Sequence, residues 1–216
     1  MFGCLRRLGC LVILLILLAA GWYWYARVEP SRSSTATTTS TRTWEPLSQA
    51  NAQRGERAVS SLGQRSGPVF ANLSGSEAAS YIFLAASKQA LPPSAQNVTA
   101  AVLGDRLYVK ANIVLNEIGG RKVLGPLASL LSDRDSVELG GTMNVIRPGL
   151  GQFVVQDVKI GSLKVPGPLV PRLVAEVRRG NIPEGVAQNG FPMPLPNYIS
   201  DIRISNGRIT IYKNTP

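Results

Sequence analysis

The chain has 216 residues, a formal net charge of +10 and 44% apolar side chains, enough to build a domain with a real core rather than a disordered chain. It has no histidine, which removes the commonest metal ligand and the commonest general base together. Its only cysteines, Cys4 and Cys10, lie at or inside the apolar N-terminal run, so the rest of the chain carries neither a disulfide nor a thiolate metal site.

Residues 8–26, LGCLVILLILLAAGWYWYA, are free of charge. As a helix they rise about 28 Å, close to the hydrocarbon thickness of a bilayer. Trp22, Tyr23, Trp24 and Tyr25 crowd one end, where amphipathic rings favour the interface, and Arg6 and Arg7 flank the other. This predicts a retained single-pass anchor with a short cytoplasmic tail, residues 1–7, and an extracytoplasmic C-terminal domain. A cleaved secretory signal is the rival, but its apolar region is shorter and ends in small residues. Here four aromatics follow Ala19, Ala20 and Gly21 at once.

Residues 27–66 are rich in Ser, Thr and Pro and poor in large apolar side chains, the composition of a tether that cannot offset its own ordering entropy. A faint helical pattern (Leu47, Ala50, Ala58, Leu62) is interrupted by Gly55. The remaining residues, 67–216, form the expected globular domain. The basic excess is spread over all parts, +2 over residues 1–26, +3 over 27–66 and +5 over 67–216, with no Lys/Arg run interleaved with aromatics. That pattern argues against nucleic acid and for a mild attraction to anionic headgroups.

In NLSGSEAASYIFLAASKQAL the spacing predicts a helix over 77–91, capped by Ser74 or Ser76, favoured at its positive end by Glu77 and stopped by Pro92-Pro93. Its middle, Tyr81, Ile82, Phe83, Leu84, is apolar almost all round, which calls for cover on more than one side. RLYVKANIVLNEI then alternates, with Leu107, Val109, Ala111, Ile113 and Leu115 on one face of a half-buried antiparallel strand. SVELGGTMNVI repeats the pattern through Val137, Leu139, Met143 and Val145, and Gly140-Gly141 predicts a bulge and a curved sheet. GPLASLLSDRD between them is a short helix or turn.

GQFVVQDVKIGSLKV gives one or two further strands bent at Gly161. Pro166 ends them, Pro168 and Pro171 fit a first helical turn, and Leu169, Val170, Leu173, Val174 and Val177 form one stripe of a helix over 168–179. IPEGVAQNGFPMPLPNY reads as a Pro/Gly-rich loop. ISDIRISNGRITIY closes the chain as a hairpin about Asn206-Gly207, since Asn-Gly suits a turn with positive φ at both central positions. The fold class is therefore α+β: a curved antiparallel meander packed on one longer and one or two shorter helices, preceded by a transmembrane helix.

No nucleophile elbow, phosphate loop or dinucleotide fingerprint is present, and no cofactor is implied. Asp133, Asp135 and Glu138 lack the full spacing of a calcium loop and read as a solvated turn; no metal is expected. Asp157 and Asp201 fall within predicted strands, on their wet faces. Nothing marks an enzyme.

The arrangement of LSGSEAASYI, VKIGSLKVPGPLV and the terminal ISDIRISNGRITIY resembles bacterial membrane-anchored envelope proteins of the YpmS and LmeA kind over residues 67–216. The resemblance implies half of a tubular, BPI-like lipid-binding fold, with a phospholipid or glycolipid held at the outer face of the cytoplasmic membrane. No catalytic residue carries over. The expected lipid-binding residues are Tyr81, Ile82, Phe83, Leu84, Leu169, Val170, Leu173, Val174 and Val177. The alternative is a non-catalytic structural or assembly protein of the envelope, using the same helices to bind a protein partner.

Overall fold

The computed structural model describes residues 43–86, 91–118, 123–178 and 181–214. The chain clusters into two compact units, 1–41 and 42–216, and the described residues all belong to the second. The expected tail (1–7), anchor (8–26) and first part of the tether lie outside them. Among the described residues no helix is long and apolar enough to cross a membrane.

Among the described residues ten strands make two antiparallel sheets. β1 (Glu45–Pro46), β3 (Gln96–Leu103), β4 (Arg106–Val114), β5 (Arg134–Arg147), β6 (Leu150–Ile160) and β7 (Leu163–Lys164) are neighbours in that order, and β8 (Gly190–Pro194) pairs with β6. β2 (Phe70–Leu73), β10 (Arg208–Lys213) and β9 (Ile199–Ser205) form a second, three-stranded sheet, whose β9 lies against β5. Three α-helices are described: α1 (Gln49–Leu62), α2 (Gly75–Ser80) and α3 (Val170–Val177).

The period-2 pattern decides the large sheet. Leu107, Val109, Ala111 and Ile113 of β4 and Val137 of β5 all turn inward and are buried, while the residues between them are half-covered. The bulge falls where the glycine pair predicts it: Gly140 pairs with Asp157 and Gly141 with Val155, leaving Gln156 as the extra residue. A Cβ on Gly141 would stand 2.2 Å from the Val154 carbonyl oxygen, so no larger residue fits. The terminal hairpin also forms as predicted, with φ of 50° at Asn206 and 76° at Gly207.

Four expectations are corrected. The tether does not extend to residue 66: Ser48 caps α1, whose Ala52, Val59 and Leu62 are at most 2% exposed, so residues 43–66 belong to the domain. The longest described helix is accordingly α1 rather than 77–91. That second segment is a single α-helical stretch, α2, running into a π-helical turn over Tyr81–Ala86. The meander is not one sheet, because β2, hidden within a stretch read as pre-helical, pairs with β10 and starts a second one. Finally, the loop after α3 contains β8. Pro192 and Pro194 alternate there with Phe191 and Met193, and a strand pairing on one side only tolerates such prolines.

Gly55, which broke the helical pattern of α1, is explained by packing. A Cβ there would lie 2.8 Å from the Glu77 carbonyl oxygen and 2.9 Å from Tyr81 Cβ. Glycine costs a helix interior about 1 kcal/mol; here it lets α1 press directly on α2 and the π turn. Gly75 does the same one layer deeper, against the backbone of Ala101 and Val102 in β3.

Candidate functional site

The two segments expected to bind lipid meet different fates. Ser74 Oγ accepts a hydrogen bond from the Glu77 N–H at 3.2 Å, and Glu77 Oε2 accepts one from the Ser74 N–H at 3.0 Å, a complete capping box. Arg54 of α1 donates to Glu77 Oε1 at 2.9 Å. Burial alone would raise the Glu77 carboxyl, but the Ser74 N–H and the Arg54 guanidinium outweigh it and hold the group below its ordinary value. Ser80, fully buried, accepts from the Ser48 N–H at 3.2 Å and ties α2 to the start of α1. The polar groups beneath the segment are therefore satisfied.

On this support Tyr81, Ile82, Phe83 and Leu84 follow one another around the π-helical turn, and all four are half-buried. Tyr81, Ile82 and Phe83 pack against the core. A helical turn with four consecutive large apolar residues has no polar face to present to water. The segment packs on α1 and α2. Burial pushes the Tyr81 hydroxyl pKa up, with the nearby Tyr198 and Glu56 adding to it, so the hydroxyl stays neutral.

The second segment behaves otherwise. Pro168 lies in a 3₁₀ turn, Gly167–Leu169, and Pro171 in the first turn of α3, as the sequence predicts. Val170, Leu173 and Val174 are 3%, 5% and 2% exposed and belong to the core, while Leu169 and Val177 are half-buried at its rim. α3 packs on β6, β8 and the turn Leu115–Ile118. Of the expected lipid-binding set, Val170, Leu173 and Val174 therefore present almost no open surface. They fill the interior instead.

The outer face of the large sheet holds a constellation that the sequence did not reveal. Arg106 on β4 donates to Asp157 Oδ2 on β6 across the intervening β5, and the Tyr108 hydroxyl lies 3.2 Å from the same oxygen. The reach is possible because β5 offers Gly140 at that point: a Cβ there would be 2.3 Å from Tyr108 Cε1, so the ring occupies the space a side chain would take. The Asp157 bond holds the Arg106 pKa up. Burial and then Asp157 raise that of Tyr108. Beside them a recess of about 350 Å³ is lined by Tyr108, Glu138, Asp157, Val158, Lys159 and Lys164. Asp157 faces outward as expected, but it is paired rather than simply wet. Only strand register and the bulge bring these residues together; their spacing along the chain carries no such signal.

Among the described residues no three His, Cys, Asp or Glu side chains gather as metal ligands. The chain matches no protein-family model, no curated protein and no solved structure.

Proposed function

We propose that the chain is a membrane-anchored, extracytoplasmic lipid-binding module of the cell envelope, which covers an acyl chain of a phospholipid or glycolipid along the turn Tyr81–Leu84. The observation that carries this reading is the row of four consecutive large apolar residues, each only partly buried, on a support whose own polar groups are satisfied. Burying a methylene gains about 0.8 kcal/mol, so a sixteen-carbon chain covered along half its surface gains roughly 6 kcal/mol before association costs. The mechanism is sequestration, without bond making or breaking.

A second reading has its own observation. Val69 and Phe70 are 49% and 50% exposed at strand β2, and Phe70 stands beside Tyr212 with ring centroids 6.0 Å apart. Such a patch on a small sheet also fits a protein partner, the role of an envelope assembly factor.

Native mass spectrometry of the full chain, released from a mild detergent, separates the two. Bound lipid that is lost in a Phe83→Asp, Leu84→Asp variant supports the first reading. A chain that carries no lipid and takes up none when phospholipid is added contradicts it. The fragment 67–216 is unsuited to the purpose, because it lacks α1.

A further inference from the structure

We propose that the recess on the outer face of the large sheet binds a phosphoethanolamine group, its ammonium held by Asp157 and Glu138 and its phosphate by Lys159 and Lys164. The proposal does not rest on acyl-chain binding at Tyr81–Leu84.

Strand register lays the charges out in order. Glu138 of β5 lies opposite Lys159 of β6, and Lys159 opposite Lys164 of β7. Asp157 stands two residues before Lys159, opposite Gly140, and so shares the same face. These four line the recess of about 350 Å³ together with Tyr108 and Val158. Two carboxylates and two ammonium groups cancel, so the lining exerts little net pull on a simple anion or a simple cation. They are nevertheless separated in space, the acids towards β5 and Gly140, the lysines towards β7. That pattern complements a dipolar ion, which carries one charge for each half.

The acid half is prepared for a donor. Arg106 and the Tyr108 hydroxyl both bond Asp157 Oδ2, so among the described residues Oδ1 is left to accept from a ligand N–H. Arg106 thereby orients the carboxylate without occupying both of its oxygens. In the basic half Lys159 and Lys164 are exposed, point charges on flexible stems, which suits the oxygens of a phosphate. Spacing decides the class of dipolar ion. The middle of the acid pair and the middle of the lysine pair lie about one strand spacing apart, roughly 5 Å. An ammonium joined to a phosphate through two methylenes and an ester oxygen spans that gap. The two charges of an α-amino acid, borne on a single carbon, fall short of it. Phosphoethanolamine occurs both free and as a phospholipid headgroup, and the two sources share this chemistry.

The test is calorimetric titration of the full chain, in a nonionic detergent, with O-phosphoethanolamine. Saturable binding is expected, with ethanolamine and inorganic phosphate, each offering one half of the ligand, weaker by about tenfold or more. Glu138→Gln, and separately Lys159→Gln with Lys164→Gln, should each lower the affinity about tenfold. These side chains are exposed or half-buried, so the variants keep the fold, and Arg65→Gln in the turn after α1 should bind as the parent does. Glycerophosphoethanolamine separates the sources: binding as tight as that of O-phosphoethanolamine assigns the site to a lipid headgroup, and binding of the monoester alone assigns it to the free compound. No saturable binding, inorganic phosphate binding as tightly as phosphoethanolamine, or binding that survives both variants overturns the proposal. None of these probes carries an acyl chain, so such a failure leaves the reading of Tyr81–Leu84 standing.

Discussion

Two segments with large apolar side chains, Tyr81–Leu84 and Leu169–Val177, end in different circumstances. In the second, a one-sided stripe separated from Arg172 and Glu176 lets the helix sink Val170, Leu173 and Val174 into the interior. In the first, apolar residues occupy every position around the turn, and all four stay only partly buried. An amphipathic stripe can be satisfied by its own protein. A turn that is apolar all round cannot be, unless it lies wholly inside.

Substitutions that treat the two segments alike give the sharpest contrast. Leu173→Ala should cost about 2–5 kcal/mol in equilibrium unfolding, the usual range for a buried leucine, because it leaves a cavity. Phe83→Ala, which truncates a side chain that is only partly buried, should cost less, about 1 kcal/mol, since the loss scales with the apolar area that was buried. Comparable losses at both positions would erase the distinction.

Gly55→Ala sets two effects of opposite sign against each other on the support of the first segment. Helix propensity alone predicts a gain of about 1 kcal/mol. The Cβ approach to Glu77 and Tyr81 predicts that overpacking wins, with a net loss of about 1–3 kcal/mol. Thermal unfolding of the variant decides the sign.

Ser74→Ala should remove the capping box at a cost of about 1 kcal/mol, read in the same way. The smallest effect is a pH dependence. The folded-state pKa of Glu77 is depressed, so its contribution is present above the ordinary glutamate value of about 4.3 and lost as pH falls through the lowered folded value. In Glu77→Gln that part of the acid-side decline should disappear from a denaturation series.

How far the sequence reached can be traced in these same residues. The terminal hairpin, the alternation from Leu107 to Leu115, the bulge at Gly140-Gly141 and the Ser74 cap were all legible, because each depends on neighbours a few positions away. α1 was not. Gly55 breaks its propensity, and the reason for that glycine, contact with Glu77 and Tyr81, lies more than twenty residues downstream. β8 was hidden by Pro192 and Pro194, which are permitted only because the strand pairs on one side, with β6. The meeting of Arg106, Tyr108 and Asp157 depends on register across three strands and one extra residue, Gln156, information that no local pattern contains.

Photocrosslinking addresses the proposed lipid contact most directly. The full chain, incubated with a phospholipid carrying a photoreactive acyl chain, is irradiated and digested, and the modified residues are read by mass spectrometry. The label is predicted to fall on Tyr81, Ile82, Phe83 and Leu84, and to spare Val170, Leu173 and Val174. Label on α3 with none on the turn, or none on either, would contradict the proposed mode of binding.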